Sequence, residues 1–278
     1  MTPRMRRAAQ ACLVVAWTLC LAPMSAPDAA AEPPPQPDWE VEIAPYGWLA
    51  LAQGQVQTPL GKQRFSIDAH EVIDGLDLGA MGAVKLRWKR WVTHFDVAWA
   101  KLSADDEIRQ SLVSFDLTQE LGWFEALAGY RVYEKPGGLF GTPTATDRRI
   151  FAFDAMGGLT YSWADVRLKL SRDPGMIIPA ASRTVKSDED WVAPYLGFRF
   201  TNDFTDHLRH ETLLGVGAFG VGDAPHVSWQ VTSQLAYAVS EHVALTAGYR
   251  ALGFRNPNVK STFHGPMIGV SFRVAGGV

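Results

Sequence analysis

Cysteine is almost absent from this 278-residue chain: Cys12 and Cys20 are the only two, and both precede the small-residue run at Ala29–Ala31. Beyond that run there is no thiol, so disulfides, thiolate nucleophiles and cysteine metal ligands are excluded. A long apolar run is missing as well. The best candidate, from about Ala8 to Leu21, falls short of the ~20 residues that a transmembrane helix needs. From Trp39 onward no helical period can be found. Neither sign of charge dominates, with 26 Lys and Arg against 29 Asp and Glu, so there is no basic surplus for binding nucleic acid.

What is present begins with Arg4, Arg6 and Arg7, the short apolar stretch, a break at Pro23 and Ala29-Ala30-Ala31 before Glu32. A basic start, a short apolar middle and an A-x-A site are the pattern of a cleaved secretory signal peptide, expected to span residues 1–31. Leu19 is too bulky for the lipid-attachment motif that Cys20 would require. Cleavage takes three arginines and Asp28 with it, moving the formal net charge from −3 to −5. Residues 32–38 hold Pro33, Pro34, Pro35 and Pro37 and read as an extended linker.

The remainder, 39–274, repeats with period two between clusters of Gly, Pro and charge; residues 275–278 are left as a tail. In Leu78–Trp88 one face reads Leu78, Ala80, Gly82, Val84, Leu86, Trp88, and the other carries Lys85 and Arg87. The segment after Trp91 sorts Thr93, Phe95, Val97 and Trp99 from His94 and Asp96 in the same way. Tight breaks near Lys89-Arg90, Gly122, Trp163, Thr205 and Ser240-Glu241 alternate with long stretches at 54–75, 134–148 and 172–188. These breaks predict an all-β fold of twelve antiparallel strands in an up-and-down transmembrane barrel, with ten or eight as the alternatives. If the break at Gly122 or at Trp163 is false, strands merge and the count falls, which makes ten the second choice.

Soluble barrels alternate too, but three features favour lipid. Small residues such as Gly215, Gly217 and Gly269 suit a crowded interior, and an export signal is present. Aromatics gather at predicted strand ends, with Trp39, Trp88, Trp91, Trp123 and Phe200 near turns and Trp99, Tyr130 and Trp229 nearer loops. A closed barrel also leaves no unpaired backbone in hydrocarbon.

Several segments resemble a family of proteobacterial outer-membrane β-barrel proteins, porin-like or OmpA–OmpW-like in the broad sense. They are Trp39–Trp48, Trp191–Phe200, Gly215–Gly222, Ser228-Trp229-Gln230, Gly248-Tyr249-Arg250, Gly265-Pro266 and Gly269. Ala193 stands where that family usually has Asp. Gly269–Val274 resembles the last-strand signal read by the barrel assembly machinery, departing from it by ending in Val274. The resemblance implies the cell outer membrane, with outer-membrane lipid, lipopolysaccharide and the assembly machinery as partners, and a monomer.

No cofactor, metal site or catalytic residue is expected. No His-x-Ser stands at a strand end, the seven histidines have no metal spacing, and the pair His94 and Asp96 reads as a polar network rather than a base. The acidic runs Asp105–Glu107 and Asp188–Asp190 are read as external loops. Period two instead predicts a lumen lined by Lys85, Arg87, His94, Asp96, Glu125, Arg131, Asp154, Arg199, Glu211, Arg250 and Arg273, with Asp77, Asp116, Glu120, Arg167 and Lys169 in the wider inward set. Charges so balanced should pair across a narrow interior. The expected function is a non-enzymatic narrow channel or plugged structural barrel; a lipid-modifying enzyme and a soluble periplasmic binding barrel are the alternatives.

Overall fold

A computed structural model describes residues 37–58, 61–67, 70, 74, 76–108, 113–141, 148–172, 181–218, 221–222, 227–255 and 259–277. The expected signal peptide and nearly all of the linker lie outside the described residues.

Every extended segment belongs to one antiparallel sheet that closes on itself. Ten strands form the ring: β1 (Trp39–Trp48), β4 (Leu76–Trp88), β5 (Trp91–Ile108), β6 (Val113–Pro136), β7 (Ile150–Arg172), β8 (Ala181–Asp203), β9 (Leu208–Ala218), β11 (Val227–Ala238), β12 (Val243–Arg255) and β13 (Val259–Gly276). The pairing of β1 with β13 completes closure. β2 (Leu51–Thr58) prolongs β1 beside β13, β3 (Gly61–Ile67) lies outside the ring on β2, and β10 (Val221–Gly222) pairs with β8. The last strand takes in Ala275 and Gly276, which the sequence assigns to the tail.

Twelve strands is therefore corrected to ten, and the physical reason is one contact. Gly122 and Trp163 are not turns; they face each other across β6 and β7 in unbroken ladders. A Cβ on Gly122 would sit 1.9 Å from Trp163 Cζ2, so the glycine makes room for the indole lying across it. The same arrangement recurs at Trp229 over Gly253 and at Trp39 over Gly276.

Merging strands moves one connection. The segment between β6 and β7, read as an outer loop, leaves the barrel at the end that also carries the two chain ends and the tight turns. Gly137 and Gly138 open it with φ of 84° and 72°. Two of those turns share one sequence pattern and one chemistry. In Thr205-Asp206-His207-Leu208 the Thr205 hydroxyl accepts from the amides of His207 and Leu208, and in Ser240-Glu241-His242-Val243 Ser240 does the same for His242 and Val243.

Strand lengths divide the wall in two. β9, β11 and β12 have 11, 12 and 13 residues, close to what a bilayer needs, whereas β6, β7 and β8 have 24, 23 and 23. At ~3.3 Å per residue and a tilt of ~40°, β6 rises about 60 Å, more than twice an outer-membrane apolar band of ~25 Å. The acidic runs expected in loops lie inside strands, Asp105–Glu107 at the far end of β5 and Asp188–Asp190 in β8 from the level of Trp163 outward.

Candidate functional site: the bore and the outer face

The outer face can be read row by row from the ladder register. Trp39, Trp88, Trp91 and Tyr130 stand opposite one another in turn across β1, β4, β5 and β6, forming a lower aromatic row. Eight residues further along β5, Trp99 opens an upper row through Gly122 to Trp163. Between the rows most outward residues are apolar, and many are exposed, among them Ile43, Phe95, Val97, Phe124, Leu159 and Leu196. Eight residues at ~3.3 Å and ~40° of tilt span about 20 Å, near the height of an outer-membrane apolar band. One step above the upper row the outward register positions turn charged: Lys101, Glu120, Asp165 and Asp188 are opposite one another across β5 to β8. Trp99 Nε1 donates to Glu120 Oε1 at 2.8 Å, tying the girdle to the first charged row.

This mapping corrects several expectations. Tyr130 belongs to the turn-end row, and Trp123, expected in a girdle, is buried inside the bore. Glu120 and Arg167 lie on the outer face; the side chains of Asp77, Asp116 and Lys169 lie outside those described. Each false turn consumed one residue of a period-two count and so reversed the faces on its outer side, residues 113–121 of β6 and 164–172 of β7.

The eleven residues expected to line the lumen all turn their side chains into the bore, and the ring geometry joins them in ways no local pattern contains. Near the turn end, Asp154 takes Arg131 Nε at 2.9 Å on one oxygen and Arg199 Nε and Nη2 at 2.9 and 2.8 Å on the other, clipping β6, β7 and β8 together. Glu40 meets Arg87 at 3.1 Å and Arg273 at 3.0 Å, while Glu42 meets Lys85 at 3.2 Å and Arg273 at 2.9 Å. Lys85 also reaches Glu211 at 2.5 Å. β4 and β9 are five places apart in a ring of ten, so this pair crosses the full diameter.

A second strap crosses higher up. Arg250 donates to Asp96 at 2.8 Å, to the Tyr46 hydroxyl at 2.6 Å and to Gln230 Oε1 at 3.3 Å. Gln230 Nε2 in turn donates to Glu125 Oε2 at 2.6 Å. Five strands are thus bridged through buried side chains. His94 stands beside this strap with Nε2 3.8 Å from Glu125 Oε1, too far for a hydrogen bond, and it makes none to Asp96.

Above the strap a layer of rings crosses the bore. Trp123 lies edge-on to Tyr195 and tilted against Phe254, which also touches Trp191 and Phe263. Gly215 and Gly217 are inward positions of β9 that leave space for the Tyr195 ring, since a Cβ at either would come within 2.6 Å of it. Period two gives Tyr195 the parity of Arg199 and Trp123 that of Glu125, but a tryptophan beside an assumed turn reads as a girdle residue, and Tyr46 and Gln230 carry no signal that singles them out. Two small cavities lie among the groups of the lower bore. One cavity of about 50 Å³ lies among the lower ion pairs, and another of about 30 Å³ lies between the Lys85–Glu211 pair and the Arg250 strap, each with room for a few waters at most. Among the described residues, no group of three His, Cys, Asp or Glu is arranged to hold a metal ion.

No family model and no curated protein matches the sequence. Solved structures do. The outer-membrane protease OmpT from Escherichia coli is similar at a TM-score of 0.51 and 10% identity, covering 86% of this chain and 97% of that one. Neisserial surface protein A aligns at 14% identity and a TM-score of 0.25, over 86% of this chain and 97% of its own. A FadL homologue from Pseudomonas aeruginosa aligns at 9% identity and 0.26, over 85% and 90%. The likeness to OmpT is one of fold: this chain has the closed antiparallel barrel of outer-membrane proteins.

Proposed function

We propose that this protein is an integral outer-membrane barrel whose bore is closed, and that it serves as a structural platform rather than as an open porin or an enzyme. The observation that carries this reading is the crossed lumen: two side-chain straps and a layer of aromatic rings span it among the described residues, and the two cavities described between them hold about 50 and 30 Å³. Selective channels line their bore with rings of one sign; here acids and bases alternate and neutralise one another. The outer face argues for the membrane, because an exposed apolar band between two aromatic rows fits no aqueous surroundings. The long outer halves of β6, β7 and β8 are then the part offered to the exterior.

Reconstitution in a planar bilayer tests the reading. The expected result is a bare-membrane baseline without steady steps. A large, steady, ion-selective current from the unmodified protein would overturn it and make the protein a porin.

A further inference from the structure

The bore is closed differently at its two ends, and that asymmetry has a chemical consequence. The larger cavity is placed by Glu40, Arg87, Ile150 and Arg209, each within two residues of the turn-end terminus of its strand. Five cationic side chains line it, Lys85, Arg87, Arg131, Arg199 and Arg209, against the three carboxylates Glu40, Glu42 and Glu211. Asp154 and Asp203 balance the arginines from behind, each bonded to guanidinium groups while contributing nothing to the cavity wall. The space inside therefore sees a surplus of positive charge although the surrounding network is close to neutral. The Thr201 hydroxyl completes the lining. Upward, the Lys85–Glu211 pair separates this cavity from the smaller one, and the ring layer of Trp123, Tyr195 and Phe254 crosses the bore above both.

We propose that the lower bore is a blind vestibule, entered from the turn end only, that takes in water and small anions as far as the Lys85–Glu211 pair. The inference rests on the membrane-barrel reading and adds to it a ligand class and a side of entry. A cationic lining in a low-dielectric wall raises the local concentration of anions and lowers that of cations.

The near absence of cysteine makes the test direct. In a chain with Cys12 and Cys20 replaced by serine, Thr201→Cys places one thiol on the vestibule wall. Ile150→Cys does so on the neighbouring strand should the first variant not fold, with heat-modifiable mobility as the check. Each is reconstituted in liposomes in one orientation and exposed, from either side, to an anionic sulfonatoethyl or a cationic trimethylammonioethyl methanethiosulfonate. Modification should come from the turn side alone and be faster by about tenfold with the anionic reagent. Equal rates, a faster cationic reagent, or no modification from either side would overturn the vestibule while leaving the closed bore intact. Modification from the loop side would overturn the closed bore as well.

Discussion

One strand, β7, shows two environments on its two faces. Inward it presents Asp154, Met156, Gly158, Thr160 and Ser162, all polar, small or packed against rings; outward it presents Phe153, Leu159, Tyr161 and Trp163, then Asp165 and Arg167. The inner face can carry full charges because each meets a partner at hydrogen-bond distance, whereas the outer face carries none until the upper aromatic row has passed. Polarity in this wall follows the neighbour across the gap rather than depth from solvent. The inside of the barrel is the wetter chemistry and the outside the drier, the reverse of a soluble sandwich.

The substitution expected to break this contrast most severely is on the inner face. Asp154→Ala strips the shared carboxylate from Arg131 and Arg199, leaving Arg199 buried without a hydrogen-bonded carboxylate and Arg131 with Glu134. Removing one member of a buried ionic cluster costs on the order of 3 to 5 kcal/mol, measurable as a fall in the urea midpoint of the folded, heat-modifiable form. A loss below about 1 kcal/mol would mean that water already shares those charges.

Next in size is a charge on the outer face. Val84 sits opposite Phe95, midway between the rows of Trp91 and Trp99, so Val84→Arg places a cation at the centre of the apolar band. The expected cost is about 2 to 4 kcal/mol of assembly, against little for Ala83→Ser one residue away on the inner face. Equal damage at the two positions, read as the yield of heat-modifiable barrel in the membrane fraction, would remove the distinction between the faces and the case for lipid with it.

These faces were legible in the sequence wherever the strand breaks were. Lys85, Arg87, His94 and Asp96 follow from period two alone because the turn at Lys89-Arg90 is real, with Lys89 at a φ of 54°. Glu120 and Arg167 went to the wrong face because Gly122 and Trp163 looked like punctuation. A glycine beside an aromatic is a turn signal locally, but here it is a cross-strand fit between residues 41 apart, visible only once β6 and β7 are paired. The partners within the bore were beyond reach for a related reason. Lys85 and Glu211 are 126 positions apart and meet only because ten strands close into a ring of that diameter. Which residues face inward is a local property, and which of them touch is a property of closure.

The smallest expected effect compares one substitution on the two faces. Gly215 and Gly122 each lie beneath an aromatic ring, and an added Cβ would stand 2.2 Å from Tyr195 Cε1 in the first case and 1.9 Å from Trp163 Cζ2 in the second. By distance alone Gly122→Ala should be the worse. The surroundings reverse that order, since Tyr195 is 2% exposed and held between Trp123 and β9, whereas Trp163 is half-buried at the edge of the apolar band. A ring with nowhere to go transmits the strain to its neighbours, so Gly215→Ala should cost about 1 to 3 kcal/mol. The Trp163 ring can swing outward, and Gly122→Ala should cost about 1 kcal/mol, chiefly the lost ring contact across the strand. Unfolding midpoints rank the two, and a change in tryptophan emission confined to Gly122→Ala reports the moved indole. If Gly122→Ala proved the more damaging, the upper aromatic row would be rigidly seated, and the outer face would be packed as firmly as the bore.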